Sequence, residues 1–130
     1  AAIDVAGAGG TSWSQVEMHR TEDQTEKKVA AAFAGWGIST AKALRMARRG
    51  APEIIAIASG GLRDGVEVAK CIALGASLAG MAKPFLEAAV RSPEEVLQAV
   101  RVIERQLRIS MFCAGAADIA MLQRTPLSHR

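Results

Sequence analysis

Apolar and polar stretches alternate along this chain in a rhythm of short strands and longer helices. Ile3 to Ala6 is a short apolar run broken by Asp4 and ended by Gly7, Gly9 and Gly10. It predicts a buried strand leading into a glycine-rich loop. Thr11 to His19 fits a helical turn, and His19 to Lys28 (HRTEDQTEKK) is polar almost throughout. That polar stretch reads as an exposed, lid-like excursion or a plain solvated connection. Val29 to Phe33 is apolar again, and Trp36-Gly37-Ile38 makes a turn. Ser39 or Thr40 is placed to cap a helix running through Arg49, with Gly50 and Pro52 to stop it.

Ile54 to Ala58 (IIAIA) is the clearest strand, continuous and partly β-branched, between Pro52 and Ser59-Gly60-Gly61. Its unbroken hydrophobicity predicts burial on both faces, as in a parallel sheet. Asp64-x-x-Glu67 reads as a capping box for a helix to about Leu74, stopped by Gly75. Ser77 to Met81 is a further short strand and Phe85 to Val90 a further helix. Ser92-Pro93-Glu94-Glu95 opens a long helix whose stripe Val96, Val100, Ile103, Leu107, Met111 faces the core. Gly115 ends it, and Asp118 to Arg124 forms a last short helix. Repeated strand-then-helix order predicts an α/β fold with parallel pairing.

Composition narrows this picture. The chain has 130 residues, 50% of them hydrophobic and 22% charged, with net charge +3. That balance excludes intrinsic disorder, and no run approaches the roughly 20 apolar residues of a membrane span. A closed (βα)8 barrel takes about 200 to 250 residues or more, so this chain of 130 cannot be one by itself. The sixteen Lys and Arg residues are scattered and accompanied by few aromatics, which is no nucleic-acid stripe but suits a small anionic ligand. Cys71 and Cys113 stand alone, with no second Cys or His at metal spacing. They read as two buried thiols in helices rather than a disulfide. No signal peptide is visible, which gives the cytosol as the expected compartment.

Candidate chemistry gathers where strands end. Gly7 to Thr11, Ser59 to Arg63 and Gly80 to Lys83 are three glycine-bearing turns, each following a strand. In parallel α/β proteins ligands sit at that end of the sheet. Glycines there let main-chain N–H groups approach a phosphate, and a helix N-terminus adds its positive end. Arg63 offers a bidentate contact and Lys83 a point charge. Asp4 divides evenly between a role at the barrel mouth and a structural bond to nearby backbone. His19 and His129 lack a partner at readable spacing and are expected to face solvent. Trp13 and Trp36 are expected to pack, with Trp13 placed to border a ligand. No paired carboxylates, HxxxH or G-x-S-x-G motif is present, so the chain holds a phosphate cradle but no self-sufficient catalytic constellation.

The segments IDVAGAGGTSW (Ile3 to Trp13), WGISTAKAL (Trp36 to Leu44), IASGGLRDGVEVAKCIALGAS (Ile57 to Ser77), GMAKPFL (Gly80 to Leu86) and the tail AADIAMLQRTPL resemble the type 2 isopentenyl-diphosphate Δ-isomerases. The resemblance runs in order over essentially the whole chain. It implies that residues 1–130 are the C-terminal part of a single FMN-binding (βα)8 TIM barrel, about three βα units plus C-terminal helices. It also implies interconversion of isopentenyl and dimethylallyl diphosphate with FMN, NADPH and Mg²⁺, in a cytoplasmic homo-oligomer that binds neither nucleic acid nor membrane. By match, Thr11 contacts the flavin, Gly61, Leu62 and Arg63 hold the FMN phosphate largely through main-chain N–H groups, and Ala82 and Lys83 complete that site. Where the family often has Ser, this chain has Ala6, which removes a side-chain hydrogen bond to the flavin. The family's flavin-contacting Lys, substrate Gln and Mg²⁺-binding Glu have no counterpart here, so no catalytic or metal residue is assigned. Two alternatives stand beside this reading: a fragment of another FMN barrel such as a 2-hydroxy-acid oxidase, and an inactive phosphate-binding fragment that completes a partner through its open strand edges.

Overall fold

A computed structural model describes residues 1–128, and His129 lies outside the described residues. Three strands, β1 (Ala2–Asp4), β2 (Ile55–Ala58) and β3 (Leu78–Ala79), form one parallel sheet in sequential order. Ile3 pairs with Ala56, and Ile57 with Leu78. Each strand is added on the same side as the one before it, which is how a barrel wall grows. A doubly wound sheet would reverse its order instead.

Between β1 and β2 lie three helices, α1 (Trp13–Arg20), α2 (Gln24–Ala32) and α3 (Thr40–Gly50). The polar stretch expected to be a loop is therefore mostly helical, with only residues 21–23 connecting α1 to α2. Asp23 makes the difference, accepting hydrogen bonds from the Thr25 and Glu26 N–H groups at 2.6 and 3.3 Å. That N-cap starts a helix that leans on α1 but buries none of its residues fully. Helix α4 (Gly65–Ala73) follows β2, α5 (Lys83–Ala89) follows β3, and α6 (Pro93–Cys113) and α7 (Ile119–Gln123) complete the chain. Two expected caps form, Asp64 accepting from Glu67 N–H and Ser92 from Glu95 N–H at 2.8 and 3.2 Å, and Asp118 caps α7 by accepting from Met121 N–H at 2.7 Å.

The core joins one face of the sheet to α3, α4 and the C-terminal region. Leu44, Ala56, Ala58, Leu62, Val68, Ile72, Ala76, Ala116 and Leu122 are buried together. Along β2 burial alternates: Ala56 and Ala58 are buried, whereas Ile55 is 50% exposed. The expectation of burial on both faces fails because helices cover only one side of the sheet among the described residues. Strand β1, expected to be buried, is exposed along its length for the same reason, being also an edge with a single neighbour. Ile103, Leu107 and Met111 of the α6 stripe pack on the core, as their spacing predicts, but Val100 is exposed.

The cysteines part company. Both are free; Cys71 is buried in α4, and Cys113 is exposed at the end of α6 rather than buried as expected. Burial pushes the Cys71 thiol up, and the nearby Glu67 charge adds to this. The thiol therefore keeps its proton to higher pH when folded than when unfolded. Its contribution to stability is complete below about pH 8.5, the ordinary thiol value, and is lost as pH rises through the folded value. At neutral pH a maleimide is expected to modify Cys113 about tenfold or more faster than Cys71. Peptide mapping after a short pulse checks this, and equal labelling would contradict the burial.

Candidate functional site

The three turns singled out in the sequence converge at the C-terminal ends of the strands. Thr11, Gly61, Leu62, Arg63, Ala82 and Lys83 all line one cleft of about 720 Å³, together with Trp13, Met81 and the intervening glycines. Its size falls within the ordinary range of ligand pockets. The cleft walls are main chain to an unusual degree, because the first two loops are locked together. The parallel pairing continues past β1, with Val5 N–H donating to Ile57 O and Gly7 N–H to Ser59 O at 3.0 and 2.8 Å. Gly7 lies where any Cβ would collide with the main chain of Thr40, and a Cβ on Gly9 would stand 2.7 Å from Gly60 O. Gly61, at φ +84°, rests on the main chain of Gly9. These glycines serve the approach of one loop to the other as much as any approach to a ligand.

That packing leaves main-chain donors exposed in the cleft. Among the described residues the N–H groups of Gly61, Leu62, Met81 and Ala82 make no internal hydrogen bond. Arg63 N–H is different, because it donates to Glu67 Oε2 at 2.7 Å while the Arg63 guanidinium meets Glu67 Oε1 at 2.9 Å. Glu67 therefore departs from a regular capping box, reaching one residue beyond the cap. Its carboxylate holds the Arg63 guanidinium above the ordinary arginine range. Lys83 is likewise placed 3.8 Å from Glu87, one helical turn on, with both side chains exposed. Both cations stand at the cleft, each beside a glutamate four residues later. The i,i+4 spacing of Arg63–Glu67 and Lys83–Glu87 was the sequence signal for these pairs.

Other candidates resolve as follows. Asp4 is a structural partner: its Oδ1 accepts from Ser59 Oγ at 2.6 Å and from Ala6 N–H at 3.0 Å. The second bond closes a tight turn that carries Ala6 at φ +40°, a left-handed conformation uncommon outside glycine. His19 is exposed on α1, away from the cleft. Trp13 and Trp36, expected to pack, are 78% and 79% exposed. Trp13 borders the main cleft, and both line an adjoining one beside Phe33. Phe33 and Trp36 meet edge to face at 5.7 Å, but no further layer covers them. Ser39 occupies the N-cap position of α3 without a side-chain cap bond, and Thr40 turns inward instead. Among the described residues no three His, Cys, Asp or Glu side chains group to hold a metal, and no helix is long and apolar enough to cross a membrane.

Comparison with known proteins places these features in context. Residues 34–129 match the FMN-dependent dehydrogenase family. The isopentenyl-diphosphate delta-isomerase of Stutzerimonas stutzeri is 54% identical over 127 residues, which is 98% of this chain and 37% of that protein. The enzyme of the same name from a Nostoc species is 48% identical over 124 residues, 95% of this chain and 35% of its own length. The chain thus spans little more than a third of the curated relatives it matches. Among solved structures, GMP reductase from Trypanosoma brucei, in complex with guanosine 5′-triphosphate, superposes with a TM-score of 0.59 at 28% identity. The match covers 75% of this chain and 24% of that one. Together with the sequential parallel sheet, this makes the architecture a part of a (βα)8 barrel.

Proposed function

The chain belongs to the family of FMN-dependent dehydrogenases, and on that footing we propose that it is the C-terminal part of a (βα)8 barrel that isomerises isopentenyl diphosphate to dimethylallyl diphosphate. Its share of the work is to grip the FMN phosphate. One observation carries this reading: three strand-end loops meet at a single cleft with unpaired main-chain donors and two cations, and no His, Cys, Asp or Glu among its lining residues. The names of the relatives matched over nearly the whole chain support the substrate pair.

A phosphate fits the residues present. Gly61 and Leu62 N–H from the loop after β2, and Ala82 N–H from the loop after β3, supply neutral donors. Arg63 and Lys83 add positive charge at the rim. With Arg63 N–H committed to Glu67, Arg63 acts on the anion through its guanidinium. Thr11, also lining the cleft, would contact the flavin. When bound, FMN supplies the group that exchanges a proton with the substrate. NADPH to reduce the flavin and Mg²⁺ to bind the substrate diphosphate belong to the same proposal, as do the cytoplasmic compartment and a homo-oligomeric assembly of the complete protein.

The family description alone favours a redox reading, such as a 2-hydroxy-acid oxidase. That chemistry needs a strand-end His to take the substrate proton, and no His lines this cleft. The test is a complete barrel carrying this chain, assayed with FMN, NADPH and Mg²⁺. Conversion of isopentenyl to dimethylallyl diphosphate without net oxidation is expected. Oxidation of a 2-hydroxy acid in place of isomerisation would overturn the reading. In the same protein Arg63→Ala is expected to weaken FMN binding by about three- to tenfold, since the cation is exposed and screened. Unchanged affinity by flavin fluorescence would remove Arg63 from the site.

A further inference from the structure

The segment Gly61–Arg63 has no regular structure of its own, yet its donors must hold one direction for an anion to be gripped. Two side chains that do not line the cleft brace the chain on either side of it, at Gly60 and at Gly65. Upstream, Thr40, 9% exposed, donates its hydroxyl to Gly60 O at 2.5 Å, with Ser59 O at 3.4 Å. The Gly60 carbonyl and the Gly61 N–H belong to one planar trans peptide, so they point in opposite directions. Holding the carbonyl fixes the peptide plane and turns the Gly61 N–H away from Thr40. Both flanking residues are glycines at positive φ, +104° and +84°, and such a pair lets the peptide turn over unless something holds it. Downstream, Gln106 in the middle of α6 accepts from Gly65 N–H at 2.8 Å. A side chain on Gly65 would run into the main chain of α6 at Ile103 and Leu107. That close approach lets a residue of the C-terminal helix reach the first turn of α4.

We propose that Thr40 and Gln106 are positioning residues that preorganise the Gly61–Leu62 main chain for the phosphate of the cofactor. The proposal rests on the phosphate reading of the cleft and names what makes that site selective. Thr40 orients one donor, and Gln106 sets the start of α4 and satisfies an N–H that would otherwise seek another acceptor. Neither touches the ligand; each acts through the loop.

The test compares FMN with riboflavin, which lacks the phosphate, in a complete barrel carrying this chain. Thr40→Val and Gln106→Leu are each expected to weaken FMN binding about tenfold, the equivalent of one buried hydrogen bond, while riboflavin affinity stays within about twofold. Thr40→Ser keeps the hydroxyl and is expected to bind FMN like the parent protein. Equal losses for FMN and riboflavin would mean a merely structural role and would overturn the proposal, as would unchanged FMN affinity in folded Thr40→Val and Gln106→Leu. If Thr40→Val does not fold, Gln106→Leu and Thr40→Ser decide it by the same comparison. A parent protein that binds FMN no better than riboflavin would instead overturn the phosphate reading itself, and the proposal with it.

Discussion

Gly61→Ala is expected to lower the melting midpoint of the chain by about 10 °C, from a loss of about 3 kcal/mol. Two costs add. At φ +84° a Cβ meets its own backbone, which costs about 1–2 kcal/mol. The same Cβ would enter the main chain of Gly9, and forcing apart packed atoms adds about 1–3 kcal/mol. No flexible side chain is available to give way, because the opposing atoms are backbone. Gly35→Ala serves as the control. Nothing lies within 4 Å of its would-be Cβ, so its effect should stay within about 0.5 kcal/mol. Thermal melts followed by circular dichroism separate the two, and matching midpoints would contradict the interlocked loops.

The second large effect is a complete one. The isolated 130-residue chain, given FMN, NADPH and Mg²⁺, is expected to turn over no isopentenyl diphosphate above background. Proton exchange needs cofactor and substrate held together in one geometry. This chain spans little more than a third of its relatives, and its cleft lining supplies no His, Cys, Asp or Glu to position or assist them. Carboxylates beside its lining residues are engaged: Asp4 with Ser59 and Ala6, Glu67 with Arg63, and Glu87 with Lys83. What the cleft offers is donors and cations, which bind an anion without moving a proton. Turnover by the purified chain, detected by product NMR, would show that the catalytic groups lie within it after all.

Much of the fold was legible because the signals were local. Continuous Ile-rich β2, the caps at Asp64 and Ser92, and the glycine stops at Gly75 and Gly115 each depend on neighbours within four residues. The meeting of the three glycine-bearing turns was legible too, since turns after three parallel strands must share one end of the sheet. What escaped depends on distant partners. Polarity from His19 to Lys28 looked like a loop because a helix that buries no residue fully leaves no apolar period to read. The exposure of Trp13, Trp36 and β1 follows from which layers are present around them, and composition does not carry that. Thr40 read as a helix cap because its true partner, Gly60, is twenty residues away. Gln106 gave no signal at all; its acceptor role exists only because α6 crosses the start of α4.

The interlock between the loops after β1 and β2 also bears on how such barrels can be recombined. Gly7, Gly9, Thr40, Gly60 and Gly61 form one joint built from two successive βα units. A chimera whose crossover falls between β1 and β2 brings together halves shaped for different counterparts, at contacts where backbone meets backbone and no rotamer can adapt. Crossovers placed ahead of β1 leave the joint whole. Because Gly65 of α4 lies equally close to the main chain of α6, the stretch from β1 through α6 is a natural cassette, to be exchanged as one piece or left alone.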